Sequence, residues 1–156
     1  MAKKNDADKV YKELSLRATE IYRFVARFYN HMQHPRDYGT GEIISMVEIH
    51  ALSAIDDAPG ITASELTVEF ERTKGAISQT IAKLEKQGYI YRETTKENAK
   101  TVHLYTTQKG RALSIAHKKS DKKNIRKSVI ELLKFCSPEE IDTFLKVIHL
   151  YCRLLE

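Results

Sequence analysis

The chain has 156 residues, of which 42% are hydrophobic and 30% are charged, and its formal net charge is +5. The length fits one domain with a hydrophobic core, and no apolar run approaches the roughly 20 residues that a membrane span needs. The first residues lack the apolar core of a signal peptide and the only cysteines are Cys136 and Cys152, so we expect a cytoplasmic protein without a disulfide framework.

The charge is distributed unevenly along the chain. Between Arg72 and Lys127 there are 15 Lys or Arg residues and 4 Asp or Glu residues, a balance of +11, whereas the remainder holds 11 basic and 17 acidic residues. A polyanion is attracted to the first part and repelled by the second, which favours nucleic acid as the partner. A solvated basic face is the plain alternative.

Catalytic motifs are missing from the sequence. It contains no glycine-rich phosphate loop, no nucleophile elbow and no cluster of His, Asp and Glu at recognisable spacing. We therefore predict that the protein is not an enzyme, and we assign no catalytic residues, no metal ligands and no cofactor.

Six helices are predicted from apolar residues that recur at intervals of three and four. They cover residues 9–34, 45–56, 62–70, 74–87, 108–135 and 138–155. Three of them begin with a capping box, in which Ser or Thr is followed three residues later by Glu. These pairs are Ser45/Glu48, Thr62/Glu65 and Ser137/Glu140.

The helix at 74–87 has an unusually narrow apolar strip. Thr73 is its predicted N-cap, Gly88 ends it, and the strip consists of Ile77, Ile81 and Leu84. Small residues on the opposite side allow a backbone to approach closely, while an amide can read base edges and lysines can neutralise phosphates. That side carries Gly75, Ser78, Gln79, Ala82, Lys83 and Lys86. A solvated amphipathic helix is the alternative interpretation.

Residues 89–94 and 101–106 are rich in β-branched and aromatic side chains and predict a β-hairpin. A helix, a turn, a second helix and such a hairpin form a winged helix-turn-helix, whose second helix enters the DNA major groove. Lys96 and Lys100 would lie at the hairpin tip, within reach of an adjacent minor groove. A plain surface hairpin that closes the domain is the alternative.

Several segments between Ile44 and Gly110 resemble the MarR-type (multiple antibiotic resistance regulator) transcription factors. They are ISMVEIHAL, PGITASEL, TKGAISQTIAKLEKQGYIYR and TTQKG, and the Leu-Glu-Lys-x-Gly-x-Ile-x-Arg pattern at 84–92 is the most specific of the matching features. The expected fold is mainly α-helical with a small β-hairpin. The predicted organisation is a single domain, 1–156, with a winged helix-turn-helix region at 44–107, its wing at about 89–106, and dimerisation helices at 1–36 and 108–156.

The resemblance implies a sequence-specific regulator of transcription, a repressor, that binds a pseudo-palindromic double-stranded operator as a homodimer. It also implies release by a small aromatic ligand, but we assign no ligand residues because aromatic side chains such as Tyr11, Tyr22, Tyr29 and His50 more often serve as core. The predicted DNA-binding residues are Thr73, Lys74, Gly75, Ser78, Gln79, Lys83, Arg92, Lys96 and Lys100.

The wing departs from the pattern of the resembled family. Where the family has Asp-Arg-Arg, this chain has Asn98, Ala99 and Lys100. A lysine keeps the positive charge but lacks the planar fork of an arginine. The sequence preference of the family is therefore not transferred to this chain.

The two ends of the chain carry more apolar surface than a lone winged helix needs. The first helix has a heptad-like stripe, and the last helix has an apolar face that consists of Ile141, Phe144, Leu145, Ile148, Tyr151, Cys152 and Leu155. These faces predict a dimer interface, and packing within one chain is the alternative. In the helix at 108–135, we expect the lysine-rich half to be exposed on the DNA side.

Two other functions remain open from the sequence. One is a winged-helix module that binds a protein partner. The other is a metal- or thiol-responsive regulator, for which His31 with His34, or His149 with Cys152, could each offer two ligands on one helix face. Neither pair has further ligands at recognisable spacing, so packing is the favoured role of these residues.

Overall fold

The computed structural model describes residues 2–95 and 98–154, with the backbone alone described for residues 2–6, 18, 95 and 98–100. The helices are α1 (Ala2–Gln33), α2 (Met46–Asp57), α3 (Ala63–Glu69), α4 (Lys74–Lys86), α5 (Gln108–Leu132) and α6 (Pro138–Arg153). Two antiparallel pairs of strands are β1 (Arg36–Asp37) with β2 (Ile43–Ile44), and β3 (Ile90–Thr95) with β4 (Asn98–Thr106). The predicted fold class, mainly α with a small β-hairpin, is confirmed.

Contacts divide the chain into two compact units, Met1–Ile115 and Ala116–Glu156, and the boundary falls within α5. The predicted boundaries differ from this one. They separate a head at 44–107 from dimerisation helices at 1–36 and 108–156, and that division stays a prediction. No helix in the described part of the chain is both long and apolar enough to cross a membrane.

All three predicted capping boxes are present. The hydroxyls of Ser45, Thr62 and Ser137 each accept a hydrogen bond from the backbone N–H of the Glu three residues later. Each of these glutamates in turn accepts a bond from the backbone N–H of its capping residue, so two orphan donors are satisfied at every start. Local sequence thus determines where α2, α3 and α6 begin.

The core of the first unit is formed by the buried faces of α2, α3, α4 and the wing. Pairing of β3 with β4 runs from Ile90 opposite Thr106 to Thr95 opposite Asn98, with an irregularity at Thr94 and Thr95. The buried residues are Ile44, Ile49, Ala51, Leu52, Ile55, Leu66, Ile77, Ile81, Leu84, Tyr89, Ile90, Leu104 and Leu113.

The wing is also bonded to the loop between α2 and α3. Gly60 N–H donates to the Leu104 carbonyl at 2.9 Å, and Leu104 N–H donates to the Ile61 carbonyl at 3.0 Å. His103 Nδ1 lies 2.8 Å from the Gly60 carbonyl oxygen. These bonds fix β4 against the helix-turn-helix, so that the base of the wing has a defined position relative to α3 and α4.

Some elements differ from the prediction. α1 begins at Ala2 rather than at residue 9, α5 ends at Leu132 rather than 135, and the expected loop between α1 and α2 contains β1 and β2. The Asp37 carboxylate organises this hairpin by accepting bonds from the backbone N–H groups of Gly39, Thr40 and Gly41 at 2.8–3.0 Å. These backbone bonds, that of Gly39 first, lower the pKa of Asp37.

A hydrogen-bonded link ties that hairpin to the start of the wing. The buried Tyr89 hydroxyl donates to Glu42 Oε2 at 2.8 Å, and Lys109 Nζ lies 2.8 Å from Glu42 Oε1 and 4.7 Å from the centroid of the Tyr89 ring. Burial, and then the bond to Glu42, raises the pKa of Tyr89 to about 12. The side-chain bond from Lys109, followed by that from Tyr89, lowers the pKa of Glu42.

Candidate nucleic-acid interface

The exposed side of α4 gathers most of the predicted DNA-binding residues on one surface. Thr73 caps the helix by accepting a bond from the Ala76 N–H at 3.3 Å. Because residues in a helix are separated by about 100°, positions three, four and seven residues apart share a side. Thr73, Lys74, Gly75, Ser78, Gln79 and Lys83 are all exposed there.

The opposite side of α4 is buried as predicted, with one addition. Ile77, Ile81 and Leu84 pack into the core, and Thr80 is also buried. The Thr80 hydroxyl donates to the Ala76 carbonyl at 3.0 Å, which satisfies a polar group that would otherwise be costly to bury. Its position three residues after Ile77 could have indicated this from the sequence.

Two cations of this surface are held by carboxylates. Lys83 Nζ lies 3.4 Å from Glu48 Oε1, at the start of α2. Arg92 Nε, on β3, donates to Glu85 Oε2 at 3.0 Å, in the last turn of α4. The sequence indicates only the capping role of Glu48, because nothing in the local pattern of α2 shows that it faces α4.

A polar hollow of about 270 Å³ lies beside the ion pair of Lys83 and Glu48. It is bounded by the end of α1, the first turn of α2 and α4. Gln79 and Lys83 form one wall of the hollow, and Arg72, from the link between α3 and α4, forms another. The exposed side of α4 is therefore continuous with a recess that contains both signs of charge.

The structure leaves the tip of the wing untested. Lys96 lies outside the described residues, as does the side chain of Lys100, although its backbone belongs to β4. Arg92 is exposed at the base of the wing, next to α4. The predicted minor-groove contacts of Lys96 and Lys100 stay predictions.

The second unit carries its own basic stripe along α5. None of its five exposed cations forms an ion pair within the described residues. The stripe consists of Lys119, Lys122, Lys123, Arg126 and Lys127, at spacings that follow one face of the helix. Exposure of the lysine-rich half of α5 agrees with the prediction, and its placement on the DNA side stays a prediction.

The two pairs considered as metal ligands, His31 with His34 and His149 with Cys152, are not joined by a third ligating side chain within the described residues. Within the described residues, no group of three ligating side chains contains His31, His34, His149 or Cys152. His34 Nδ1 instead lies 2.6 Å from the Asn30 carbonyl oxygen, which holds the ring against its own helix.

A short capped helix, a tight link, an exposed second helix and a hairpin bonded to the loop before the first and to the last turn of the second define a winged helix-turn-helix protein. Residues 44–100 match the model of the MarR family. Over that stretch this chain is similar to the MarR family, and the resemblance inferred from the sequence is confirmed. The members of this family are transcriptional regulators rather than enzymes.

One relative and several solved structures are also similar to this chain. The uncharacterized HTH-type transcriptional regulator YhjH of Bacillus subtilis (strain 168) is 29% identical over 82 residues, which are 53% of this chain and 47% of the relative. The match thus spans about half the length of that protein.

Two solved structures are similar over nearly the whole chain. FabT of Streptococcus pneumoniae in complex with DNA is 27% identical, with a TM-score of 0.66 and coverage of 93% of this chain and 96% of that one. The S. aureus MepR–DNA complex is 17% identical, with a TM-score of 0.71 and coverage of 89% and 98%, and this likeness shows the fold alone.

Proposed function

We propose that the protein is a cytoplasmic, sequence-specific transcriptional regulator, a repressor, that binds a pseudo-palindromic double-stranded operator as a homodimer. The exposed side of α4 carries the proposal, because it presents small residues, an amide and cations on one surface. Similarity to FabT, which was solved with DNA, supports it. In this proposal Ser78 and Gln79 face the bases, while Lys74, Lys83 and Arg92 contact phosphates.

Thr73 and Gly75 complete the proposed contact surface at the start of α4. The backbone can approach DNA closely here, since a Cβ atom built at Gly75 would meet no heavy atom within 4 Å. The first N–H groups of a helix also favour a phosphate nearby. Lys96 and Lys100 are included as wing contacts on the basis of the sequence alone.

The homodimer is supported by apolar faces that are exposed in the described part of the chain. Along α1, Val10, Leu14, Ile21 and Phe28 are each more than half exposed. In the second unit none of the described residues of α6 is buried, although its face includes Phe144, Leu145, Ile148 and Tyr151. Monomers rarely expose apolar surface on this scale, so a second copy of the chain is the proposed occupant.

Fluorescence anisotropy with labelled duplexes tests the DNA-binding role. One duplex comes from the region upstream of the protein's own gene and the other is unrelated, and both are titrated across a series of salt concentrations. We expect tighter binding to the upstream duplex, with a log–log salt slope of about −4 or steeper because several phosphates are neutralised. No binding to either duplex at low salt would contradict the proposal.

Release by a small aromatic ligand is the remaining part of the proposal. The side chains of Tyr11, Tyr22, Tyr29 and His50 are all exposed, so they do not belong to the hydrophobic core of the chain. Aromatic carboxylates and phenols can be added to the protein–duplex complex in the same assay. A saturable loss of anisotropy supports this regulation, whereas the same loss on addition of a chelator or an oxidant would favour the metal- or thiol-responsive alternative.

A further inference from the structure

Glu48 is a carboxylate with two partners on two different helices. Its Oε2 atom accepts bonds from the backbone N–H of Ser45 at 3.1 Å and from the Ser45 hydroxyl at 2.7 Å. Its Oε1 atom lies 3.4 Å from Lys83 Nζ. The capping box therefore holds Oε2, and this orientation directs the other oxygen, Oε1, toward α4, the proposed DNA-binding helix.

The environment keeps Glu48 charged. Its side chain is only 13% exposed, whereas that of Lys83 is 68% exposed. Burial acts to raise the pKa of Glu48, but the bonds from Ser45 and the charge of Lys83 outweigh it, and the pKa is lowered. A partly buried negative charge is screened less by salt than a surface one. A phosphate that approaches Lys83 therefore meets a cation that already has a carboxylate partner.

A second ion pair is formed in the same last turn of α4. Arg92 is held by Glu85, whose carboxylate lies 3.0 Å from its Nε atom. Lys74, by contrast, has no ion-pair partner within the described residues. Two of the three described cations that we assign to phosphates are thus already paired with carboxylates.

We propose that Glu48 and Glu85 limit the electrostatic affinity of this protein for DNA, because each withholds one phosphate-binding cation. The inference rests on the proposed DNA-binding function and deepens it. Affinity that comes from phosphates is independent of sequence and supplies essentially all non-specific binding. Carboxylates that reduce this contribution leave base contacts, such as those assigned to Gln79, to decide where the protein binds.

The salt dependence of binding to an unrelated duplex tests this inference. Each additional neutralised phosphate steepens the log–log slope by about 0.9. We expect Glu48→Gln to bind the unrelated duplex roughly tenfold more tightly at low salt and to steepen the slope by ~0.9. Lys83→Ala should leave the slope close to the wild-type value because Glu48 already withholds that cation, and Glu48→Gln should have no further effect in the Lys83→Ala background.

Two controls separate charge from structure. Glutamine is also accepted in a capping box, so Glu48→Gln should keep the start of α2, which circular dichroism and thermal unfolding can verify. Glu140→Gln makes the same change in the capping box of α6, where Glu140 has no described cation partner, and should leave binding unchanged. Glu85→Gln, at an exposed site, provides a second variant that should also steepen the slope.

The outcomes distinguish the inference from the proposed function. A wild-type protein that binds neither duplex would overturn both. Wild-type binding with unchanged or shallower slopes for Glu48→Gln and Glu85→Gln would overturn the inference alone. A slope that steepens equally in Glu140→Gln would also overturn the inference, because the effect would then come from a general loss of negative charge.

Discussion

Gln79 is exposed one and a half turns from the start of α4, between Lys74 and Lys83. Its side chain offers one donor group and one acceptor, the combination that reads an adenine edge in the major groove. Helical spacing alone was sufficient to place it on the exposed side. In the proposed complex, the base that Gln79 contacts depends on the sequence of the operator.

Replacement of Gln79 by alanine should reduce the preference for the operator over an unrelated duplex by roughly tenfold, because a bidentate base contact is lost. Non-specific affinity should change little. Competition titrations with the two duplexes measure this ratio. Gln87→Ala, at the other end of α4, is a matched control that should keep the preference, and an unchanged ratio in Gln79→Ala would contradict the assignment.

Gly110 is a residue whose importance only the packing shows. A Cβ atom there would lie 1.9 Å from the carbonyl oxygen of Tyr89, which also accepts a bond from Thr107 N–H. Because that neighbour is backbone, it cannot move aside without displacing the start of the wing.

We therefore expect Gly110→Ala to lower the free energy of unfolding by at least about 2 kcal/mol, as measured by urea denaturation. Gly75→Ala is the informative comparison. Its methyl group meets nothing within the chain, so stability should be unchanged or rise by up to ~1 kcal/mol. Affinity for DNA should nevertheless fall, since the methyl group obstructs close approach. Equal losses of stability in both variants would contradict this account.

At the scale of elements, the helix starts and the hairpin were predictable, and the link between β1–β2 and the wing was not. Tyr89 and Glu42 are 47 residues apart, and no local pattern connects them. Their bond, together with Lys109, attaches the segment before α2 to the turn after α4. This link includes a tyrosine hydroxyl that loses its proton at alkaline pH.

The pKa of Tyr89 is raised to about 12, above the ordinary value of 10. The unfolded chain therefore releases this proton at lower pH than the folded chain. Its contribution to stability is complete below pH 10 and is lost as the pH rises through about 12.

Tyr89→Phe removes both the bond and this titration. At pH 8 the variant should be less stable than wild type by roughly 1–2 kcal/mol, the usual cost of losing such a bond. Between pH 9 and pH 11 that difference should shrink by about 1 kcal/mol. Urea denaturation across this range measures it, with Tyr11→Phe, an exposed site, as the control. Parallel curves for wild type and Tyr89→Phe would show that Tyr89 does not titrate as described.

At the scale of the whole molecule, the exposed apolar faces of α1 and α6 form the interface of the proposed dimer. We expect the full chain to sediment as a dimer, with a thermal midpoint that rises with protein concentration. A double variant, Leu145→Glu with Ile148→Glu, places charges on the α6 face and should shift the mass toward the monomer. Analytical ultracentrifugation measures the change.

Thr143→Glu provides the control for that variant, since Thr143 lies on the opposite side of α6 and its replacement should keep the dimer. Operator binding should weaken together with dimerisation, because two half-sites are then no longer bound at once. A chain that sediments as a monomer at micromolar concentration would contradict the proposed assembly.

The sequence by itself determined the capped starts of α2, α3, α4 and α6, the wing, and the set of residues exposed on α4. These features depend on neighbours within a few positions, where hydrogen-bond geometry and helical periodicity act directly. Only the tertiary structure decided that Glu48 holds Lys83, that Tyr89 bonds Glu42, and that β4 pairs with the loop after α2. Each of these joins segments distant in the chain, and their meeting depends on how the buried faces of the helices pack together.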